Sequence, residues 1–249
     1  MTPTIKQQLN HKSIRQFTSQ ELTDTEVNLL VNVAQHAPTS NFRQAYSIIS
    51  ITDEKLKKEL AVLGEQSYIA EAGHLFVFVV DQRRNTLIAE AKGVKAKVQG
   101  SAERFLSGFS DALIAAQNVA IAAESLGMGS VFLGSILNDN AKLSKLLGLP
   151  KYVFPAVGLA VGWPNQEPQL KPRLPREVIH MENTYQDLEN PLKTLEEYDG
   201  VVHDYYDLRD INNRIDTFTN QIAKSMGESV ASRANTLRDL QQQGFFLDN

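Results

Sequence analysis

The sequence contains no cysteine among its 249 residues. This absence excludes disulfide bonds, thiolate catalysis and metal sites built on sulfur ligands. No apolar run approaches the roughly 20 residues that a membrane-spanning helix needs, and residues 1–8 show no apolar signal core. We therefore expect a cytoplasmic protein that does not enter a membrane.

A strong excess of one charge is also missing. Lys and Arg total 25 and Asp and Glu total 29, which gives a net charge of −4 and no broad basic surface for nucleic acid. The histidines, at positions 11, 36, 74, 180 and 203, lack the close helical spacing of a metal site. No nucleophile-elbow pattern is present. The sequence thus predicts neither nucleic-acid binding, nor a metal centre, nor acyl transfer.

The hydrophobic pattern predicts alternating helices and strands. Thr23 and Glu26 have the spacing of a capping box and begin a predicted helix over 23–36, while a run dense in alanine and leucine predicts a long central helix over 102–126. Short segments rich in Val, Ile and Phe predict strands, over residues 46–52, 75–81, 130–133 and 154–161. This order indicates a sheet layered with helices, in the α/β or α+β class.

Two short basic motifs lie far apart in the chain, and no glycine-rich phosphate loop lies between them. The early motif is His11-Lys12-Ser13-Ile14-Arg15, and the late motif, within Leu170–Pro175, contains Lys171-Pro172-Arg173. Arg offers a planar fork of donors to phosphate and Lys a point charge. Pro172 biases Lys171 to an extended backbone, so that alternate side chains point the same way. Each motif alone is typical of a solvated surface, but together they favour a phosphate held by side chains.

The run H-K-S-I-R-Q-F-T at 11–18 resembles the opening of the flavin-dependent nitroreductase family, in particular its NADPH-dependent flavin reductase branch. Further similar segments follow in the family's order: A-P-T-S-N-F at 37–42, E-Q-S-Y-I-A at 65–70, A-A-E-S-L-G-M-G at 122–129, F-L-G-S at 132–135, G-W-P at 162–164, L-K-P-R-L-P at 170–175 and N-N-R at 212–214. The shared order is more specific than any single match.

The resemblance implies an α+β fold in which a mixed β-sheet is flanked by helices in three α/β/α layers. It also implies an intertwined homodimer with FMN at the interface. Because similar motifs lie on both sides of the stretch from 162 to 190, we interpret that stretch as an extended crossing segment rather than a domain linker. We therefore predict a single FMN-binding domain over residues 1–249, with a helical C-terminal extension from about 191 to 249.

The resemblance also assigns cofactor-binding residues. The phosphate and ribityl chain of FMN would meet the early and late motifs, through His11, Lys12, Ser13, Ile14, Arg15, Lys171, Pro172 and Arg173. The ring would meet a loop after a helix and the end of a strand, through Thr39, Ser40, Phe132, Leu133, Gly134 and Ser135. The family often carries a serine run where Thr39 and Asn41 stand, and a second glycine where Ser135 stands. Gln66 can pair with the uracil-like edge, because its amide offers both a donor and an acceptor.

For the substrates, the resemblance implies roles for Tyr68 and Asn41 at the pocket. Three basic residues of the C-terminal region, Arg209, Arg214 and Arg233, would hold the 2′-phosphate of NADPH. Hydride transfer between nicotinamide and flavin needs no protein acid or base, so we expect no catalytic side chain. The expected cycle is ping-pong, with NADPH (NADH possible) as reductant and a nitroaromatic, a quinone or free flavin as oxidant.

Two alternatives remain open at the level of the sequence. One is a flavin reductase whose product serves a partner oxygenase. The other is a non-catalytic FMN-binding redox module, although such a module has no need of a nicotinamide site.

Overall fold

A computed structural model of the chain describes residues 1–209, 216–228 and 231–247, with the backbone alone for 206–209. The chain divides into two compact units. One comprises Met1–Pro168 and Ser232–Asn249, and the other comprises Gln169–Ala231. The residues predicted to form the C-terminal extension, 191–249, fall partly in each unit, and the single domain with this extension stays a prediction.

The first unit contains one four-stranded sheet in the order β1-β2-β4-β3. Its strands are β1 (Tyr46–Ile51), β2 (His74–Asp81), β3 (Gly129–Leu133) and β4 (Val153–Gly162), which confirms all four predicted strands to within two residues. All three ladders are antiparallel. The sheet was predicted to be mixed. Among the described residues, its only parallel pairing is an isolated bridge between Ser13 and Ser130. Strands that are successive in the chain, β1 with β2 and β3 with β4, pair directly, without the crossover that makes neighbours parallel.

Helices cover both faces of the sheet. In the first unit they are α1 (Pro3–Leu9), α2 (Asp24–Gln35), α3 (Glu54–Leu63), α4 (Tyr68–Glu71), α5 (Arg83–Ala91), α6 (Ala102–Ser125), α7 (Asn140–Leu146) and α12 (Thr236–Gln242). Short 3-10 turns lie at Ser40–Phe42, Ser135–Asp139 and Ala231–Arg233. The second unit contains α8 (Arg176–Ile179), α9 (Pro191–Thr194), α10 (Glu196–Arg209) and α11 (Phe218–Gly227).

The core has one cluster on each face of the sheet. Side chains from α2 and α6 pack on one face, around Phe76 and Phe78 of β2. Side chains from α3, α4 and α7 pack on the other face, around Leu75, Val77 and Val79 of the same strand. Because β2 is covered on both sides, it is apolar along most of its length. The α+β class with three α/β/α layers is confirmed.

The central helix α6 corrects the expectation that no segment has the length and composition of a membrane span. It is long and apolar enough to pass that test, as core helices of globular proteins also do. Its alanines raise the average hydropathy, although the helix carries the buried carboxylate of Asp111. Ala112, Ala115 and Ala116 are fully buried against the sheet, so α6 acts here as a core helix.

The end of the chain packs into the first unit. Phe245 is fully buried, and its ring lies edge-on to that of Phe105 with centroids 5.1 Å apart. The N–H of Phe246 donates to the carbonyl of Gly100 at 2.8 Å, and the N–H of Tyr152 donates to the carbonyl of Gln243 at 2.7 Å. The C-terminal residues therefore anchor the start of α6 and the start of β4.

His74 makes the stability of the fold depend on pH. Its ring is 7% exposed, and burial, followed by the nearby charge of Lys57, lowers its pKa from 6.5 to about 4. Between these two values the unfolded chain binds a proton that the folded chain does not. We expect the free energy of unfolding to be highest above pH 6.5 and to fall by up to about 3 kcal/mol as the pH approaches 4.

Urea unfolding of the wild type and of His74→Leu between pH 7.5 and 4 measures this effect. The variant removes the titrating group and keeps an apolar side chain of similar size, so its pH profile should be flatter. Parallel profiles for the two proteins would contradict the assignment to His74.

Candidate functional site

The early basic motif lies beside the beginning of β3, at an edge of the sheet. Ser13 bridges to Ser130, and the N–H of Ile14 donates to the carbonyl of Ser130 at 3.0 Å. The Ile14 side chain is 7% exposed and packs so closely that a Cβ on Gly129 would come within 2.4 Å of it. Ile14, predicted to bind cofactor, therefore turns its side chain into the core, and its N–H is already used in the bond to Ser130.

Two of the three basic side chains in the motif are paired with carboxylates. Glu124, at the end of α6, accepts from Nδ1 of His11 at 2.6 Å and from the hydroxyl of Ser130 at 3.0 Å. Lys12 forms an ion pair with the exposed Glu167. Glu124 therefore fixes the ring of His11 and leaves Nε2 for another partner.

Arg15 is held through its backbone. Its N–H donates to Oε1 of Gln166 at 3.0 Å, and the residue is exposed. Among the described residues its guanidinium has no hydrogen-bond or ion-pair partner. Arg15 thus presents an uncompensated, forked set of donors beside β3.

The end of β3 leads into an open turn. Leu133 is buried in the core at 1% exposure, whereas Phe132 is 36% exposed at the sheet edge. A Cβ added to Gly134 would meet nothing within 4 Å, so the space above this residue is free for a ligand. Arg233 donates to the carbonyl of Gly134 at 2.8 Å and to Oδ1 of Asn138 at 3.1 and 3.2 Å.

Gln66, Tyr68 and Ser135 form one hydrogen-bonded group. Oε1 of Gln66 accepts from the phenol of Tyr68 at 2.5 Å and from the hydroxyl of Ser135 at 2.9 Å. The structure therefore brings together three residues that the sequence assigned separately. It corrects one detail, because the carbonyl predicted to accept from a ligand already accepts from two hydroxyls.

The loop that contains Thr39, Ser40 and Asn41 is tied to α6 by the buried Asp111. One carboxylate oxygen accepts from the N–H of Ser40 at 2.8 Å and the other from the N–H of Ala45 at 3.1 Å. Asn41, Phe42 and Gln44 have φ values of 51°, 57° and 49°. Such left-handed backbone is costly for residues with a Cβ, and it persists only where the surroundings enforce it.

This loop does not meet the early motif within one chain. It leads into β1, while the early motif lies along β3, the strand at the opposite edge of the sheet. Their anchors on α6, Asp111 and Glu124, are separated by about 20 Å at 1.5 Å per residue. Within the first unit, the residues predicted to bind the cofactor therefore fall into two groups, one in this loop and the other beside β3.

A cleft of about 1210 Å³ adjoins the loop and not the β3 turn. Phe42, which is 84% exposed, and Arg43 line it together with the open edge of β1. Its described lining residues include no acidic side chain, and its cations are Arg43, Arg84, Lys92, Lys95, Lys97 and Arg104. Arg43 and Arg104 pair with Glu103 and Arg84 pairs with Asp81, so the lysines carry the excess positive charge of the cleft. The cleft lies on the side of the sheet away from the early motif.

The late motif belongs to the second unit. Lys171 and Arg173 are exposed, and Nη1 of Arg173 donates to the carbonyls of Lys171 and Pro172 at 2.7 and 3.3 Å. Of the C-terminal arginines, Arg214 and the side chain of Arg209 lie outside the described residues. Arg233 is described above, at the β3 turn.

Several residues of the site were not assigned from the sequence. Glu124 lies within the A-A-E-S-L-G-M-G match, which was the one available signal for it. Asp111, Asn138 and Gln166 carried none, because each binds a residue far away in the chain. Across the described ranges, no group of three His, Asp or Glu side chains is placed to hold a metal ion.

Comparisons with known proteins identify the family of the chain. A model of the Nitroreductase family matches residues 9–163, and one of the Nitroreductase family, C-terminal domain, matches residues 171–248. The chain is 41% identical over 248 residues to FMN reductase (NADPH) of Bacillus subtilis, covering 98% of this chain and 99% of that protein.

Solved structures give the same result. NfrA1 nitroreductase from B. subtilis superposes with a TM-score of 0.92 at 40% identity, over 98% of this chain and 100% of the other. NADPH:FMN oxidoreductase from Vibrio harveyi, complexed with NAD+, gives a TM-score of 0.88 at 32% identity, over 99% of this chain and 100% of the other. With one family model covering more than half of its length and relatives covering nearly all of it, the chain belongs to the nitroreductase family.

Proposed function

We propose that the protein is an NADPH-dependent oxidoreductase that uses bound FMN to reduce small aromatic acceptors, namely nitroaromatics, quinones or free flavin. Two observations carry the proposal: the exposed Arg15 beside the beginning of β3, whose guanidinium has no partner among the described residues, and the open turn at Gly134 just after the end of the same strand. Relatives named FMN reductase (NADPH) and NADPH:FMN oxidoreductase support the same activity. We expect it to act in the cytoplasm.

The residues present fit FMN at three points. Arg15 offers unpaired donors for a phosphate, Gly134 leaves space for a flat ring, and the Gln66 amide nitrogen has no partner among the described residues. His11 and Ser13 would share the phosphate with Arg15, and Lys171 and Arg173 stay phosphate ligands by the family resemblance alone. When bound, FMN supplies the redox chemistry.

The chain's own residues supply binding, orientation and access. Hydride transfer requires the donor and acceptor atoms to be stacked about 3–3.5 Å apart, and the absence of a Cβ at Gly134 leaves the space for stacking. A bound FMN with one accessible face would meet reductant and oxidant in turn, which is the ping-pong cycle with loose acceptor choice that we propose. No side chain of the site is assigned proton transfer.

We further propose that the functional unit is a homodimer. Thr39, Ser40 and Asn41 lie at the β1 edge and the early motif at the β3 edge, so one flavin can meet both groups only if a second copy supplies one of them. Such a shared site predicts that dilution to monomers releases FMN. Flavin retained by a verified monomer would refute the arrangement.

An anaerobic titration of the purified protein with NADPH, followed at the flavin absorbance near ~450 nm, tests the function. Bleaching, followed by return of colour with a nitroaromatic or quinone, is the expected result. A yellow protein that NADPH does not bleach would instead identify a non-catalytic FMN module. A colourless protein that takes up no FMN would overturn the proposal.

Free flavin is the acceptor favoured by one specific observation, the name FMN reductase (NADPH) of the 41% identical relative. Steady-state rates with added FMN as second substrate, compared with a quinone, distinguish the acceptors. A flavin KM well below the quinone KM would support supply of reduced flavin to a partner oxygenase, and the reverse order would support quinone reduction.

Gly134 is expected to limit cofactor binding and not stability. Its φ of −71° suits any residue, and an added side chain would enter open space. In Gly134→Val the thermal midpoint should change little, while the Kd for FMN rises about tenfold or more because the side chain occupies the ligand's space. Flavin titration and thermal unfolding measure the two effects.

Gly227→Val is the matched control, since a Cβ at Gly227 also meets nothing within 4 Å but lies in the second unit. Equal FMN affinities for Gly134→Val and this control would show that no ligand occupies the β3 turn.

Arg209 is proposed to favour NADPH over NADH by binding the 2′-phosphate, together with Arg214 and Arg233. One charge-assisted hydrogen bond is worth about 1.5–3 kcal/mol, so Arg209→Ala should lower the NADPH-to-NADH ratio of kcat/KM by about tenfold. Arg176→Ala, an exposed arginine of the same unit, is the control. A ratio that stays the same in Arg209→Ala removes this residue from the role.

A further inference from the structure

We infer that Ser135 and Tyr68 are positioning residues that lock the Gln66 side chain as a hydrogen-bond donor toward FMN and thereby raise the reduction potential of the bound flavin. The inference rests on the proposed FMN site. It assigns Gln66 a single role, in place of the paired donor and acceptor expected from the sequence.

The side-chain carbonyl of Gln66 is fully used as a hydrogen-bond acceptor. A carbonyl oxygen has two lone pairs, and Oε1 of Gln66 receives two hydroxyl donors, from Tyr68 at 2.5 Å and from Ser135 at 2.9 Å. Its acceptor capacity is therefore filled. The amide nitrogen, with two N–H donors, is left for a ligand.

The distance to Tyr68 distinguishes the two possible orientations of the Gln66 amide. The reverse orientation would place the amide nitrogen against both hydroxyls, as N–H···O hydrogen bonds. Such bonds have separations of about 2.7–3.2 Å, whereas O–H···O bonds reach about 2.5 Å. The 2.5 Å contact to Tyr68 therefore places the carbonyl oxygen, not the nitrogen, beside the phenol.

The backbone around Gln66 and Ser135 is held in place by its neighbours. Gln66 follows Glu65, whose φ of 53° fixes a tight turn, and its own N–H donates to the carbonyl of Ala61 at 3.0 Å. Ser135 can approach because Gly64 has no side chain: a Cβ there would lie 3.1 Å from the Ser135 hydroxyl. The following residue, Ile136, is fully buried and anchors the turn.

A hydrogen-bond donor at Gln66 would stabilise negative charge on the flavin. Electron uptake places negative charge on the pyrimidine part of the ring, and a donor aimed at it stabilises the reduced form more than the oxidised form. Ser135 departs from the glycine that the family often carries at this position. With glycine there, one of the two hydroxyls that hold the amide would be missing.

The test is the two-electron midpoint potential of bound FMN in Ser135→Ala and Tyr68→Phe, each of which removes one hydroxyl. Losing one neutral hydrogen bond that holds the donor should weaken binding of reduced relative to oxidised FMN about fivefold, which is about 20 mV toward lower potential. Ser110→Ala removes an exposed hydroxyl that bonds only to its own helix and should leave the potential unchanged.

Gln66→Glu tests the contact between this side chain and the flavin. It keeps an oxygen for Tyr68 and Ser135 but replaces the donor with a negatively charged oxygen, so the potential should fall further than in either hydroxyl variant. A potential equal to that of the wild type would mean that the Gln66 side chain does not face the flavin, and would overturn the inference.

Binding of oxidised FMN, measured in parallel, separates this inference from the proposed function. If the wild type binds no FMN, the proposed function itself fails. If the wild type binds FMN and both hydroxyl variants keep its potential, whatever their affinity or kcat, then Ser135 and Tyr68 are structural only and the inference fails alone.

Discussion

Replacing Asp111 with alanine is expected to lower the free energy of unfolding by about 3–5 kcal/mol. The carboxylate is 1% exposed, and its two oxygens accept from the N–H groups of Ser40 and Ala45 at 2.8 and 3.1 Å. Hydrogen bonds to a charged group are worth about 1.5–3 kcal/mol each. The alanine variant would leave both N–H groups without a partner, and urea unfolding at pH 7 measures the loss.

The same substitution should also release the loop. Asn41, Phe42 and Gln44 hold left-handed backbone at a cost of about 1–3 kcal/mol each, and the two hydrogen bonds to Asp111 close the loop at both ends. Without them the loop can relax, and Thr39 and Ser40 lose their fixed positions. FMN retention should therefore decrease even in the fraction that stays folded.

Asp111→Asn is the informative comparison. It keeps the shape of the side chain and one acceptor oxygen, so it should lose less stability than alanine, although its amide group faces an N–H that needs an acceptor. Asp24→Ala, at an exposed position of α2, serves as the control. If Asp111→Ala unfolds within about 1 kcal/mol of the wild type, water replaces the carboxylate and the loop does not depend on it.

The secondary structure could be predicted because its determinants are local. The capping box at Thr23 and Glu26 is present as expected, and the helix predicted to end near Gly127 does so, with that glycine at a φ of +82°. Strand β2 is buried along its whole length, which its apolar sequence indicates. What the pattern does not contain is the order of strands in the sheet, because pairing is decided by packing between distant segments.

That missing order explains the main difference at the site. The family resemblance predicts that Thr39, Ser40 and the early motif converge on one flavin. In the structure the order β1-β2-β4-β3 puts them at opposite edges, so their predicted convergence requires two chains. The family resemblance implies a dimer, and the strand order supports the proposal of a homodimer.

The inward placement of two carboxylates was beyond prediction for a related reason. Asp111 and Glu124 lie on a helix, where acidic residues usually face solvent. The hydrogen bonds that justify their inward placement join residues 71 and 113 positions apart in the chain. Gln66 is a similar case: its importance was predicted, but the hydroxyl of Ser135, 69 positions away, decides which end of its amide remains free.

Replacing Arg15 with alanine is expected to raise the Kd for FMN by about 30- to 100-fold, which corresponds to about 2–3 kcal/mol. In the early motif, His11 and Lys12 are already paired with Glu124 and Glu167. The Arg15 guanidinium has no carboxylate partner among the described residues. Its charge is therefore available in full to a phosphate. Lys12→Ala should have a smaller effect, about threefold, because Glu167 already neutralises the ammonium.

Riboflavin, which lacks the phosphate, makes the test specific. If Arg15 binds the phosphate, Arg15→Ala should weaken FMN binding and leave riboflavin binding unchanged, so that the FMN-to-riboflavin preference falls by the same 30- to 100-fold. Fluorescence titrations of the flavin-free protein measure both ligands. Arg238→Ala, an exposed arginine elsewhere in the first unit, should change neither.

A parallel loss of affinity for both flavins would assign Arg15 to the ring or to the fold, and a thermal unfolding curve would separate these two cases. An FMN affinity equal to that of the wild type would contradict the early motif as the phosphate site. The late motif would then have to hold the phosphate alone. In that case Lys171→Ala and Arg173→Ala should each raise the Kd for FMN by the 30- to 100-fold expected here for Arg15→Ala, because a phosphate near −2 removed from water needs more than one cation beside it.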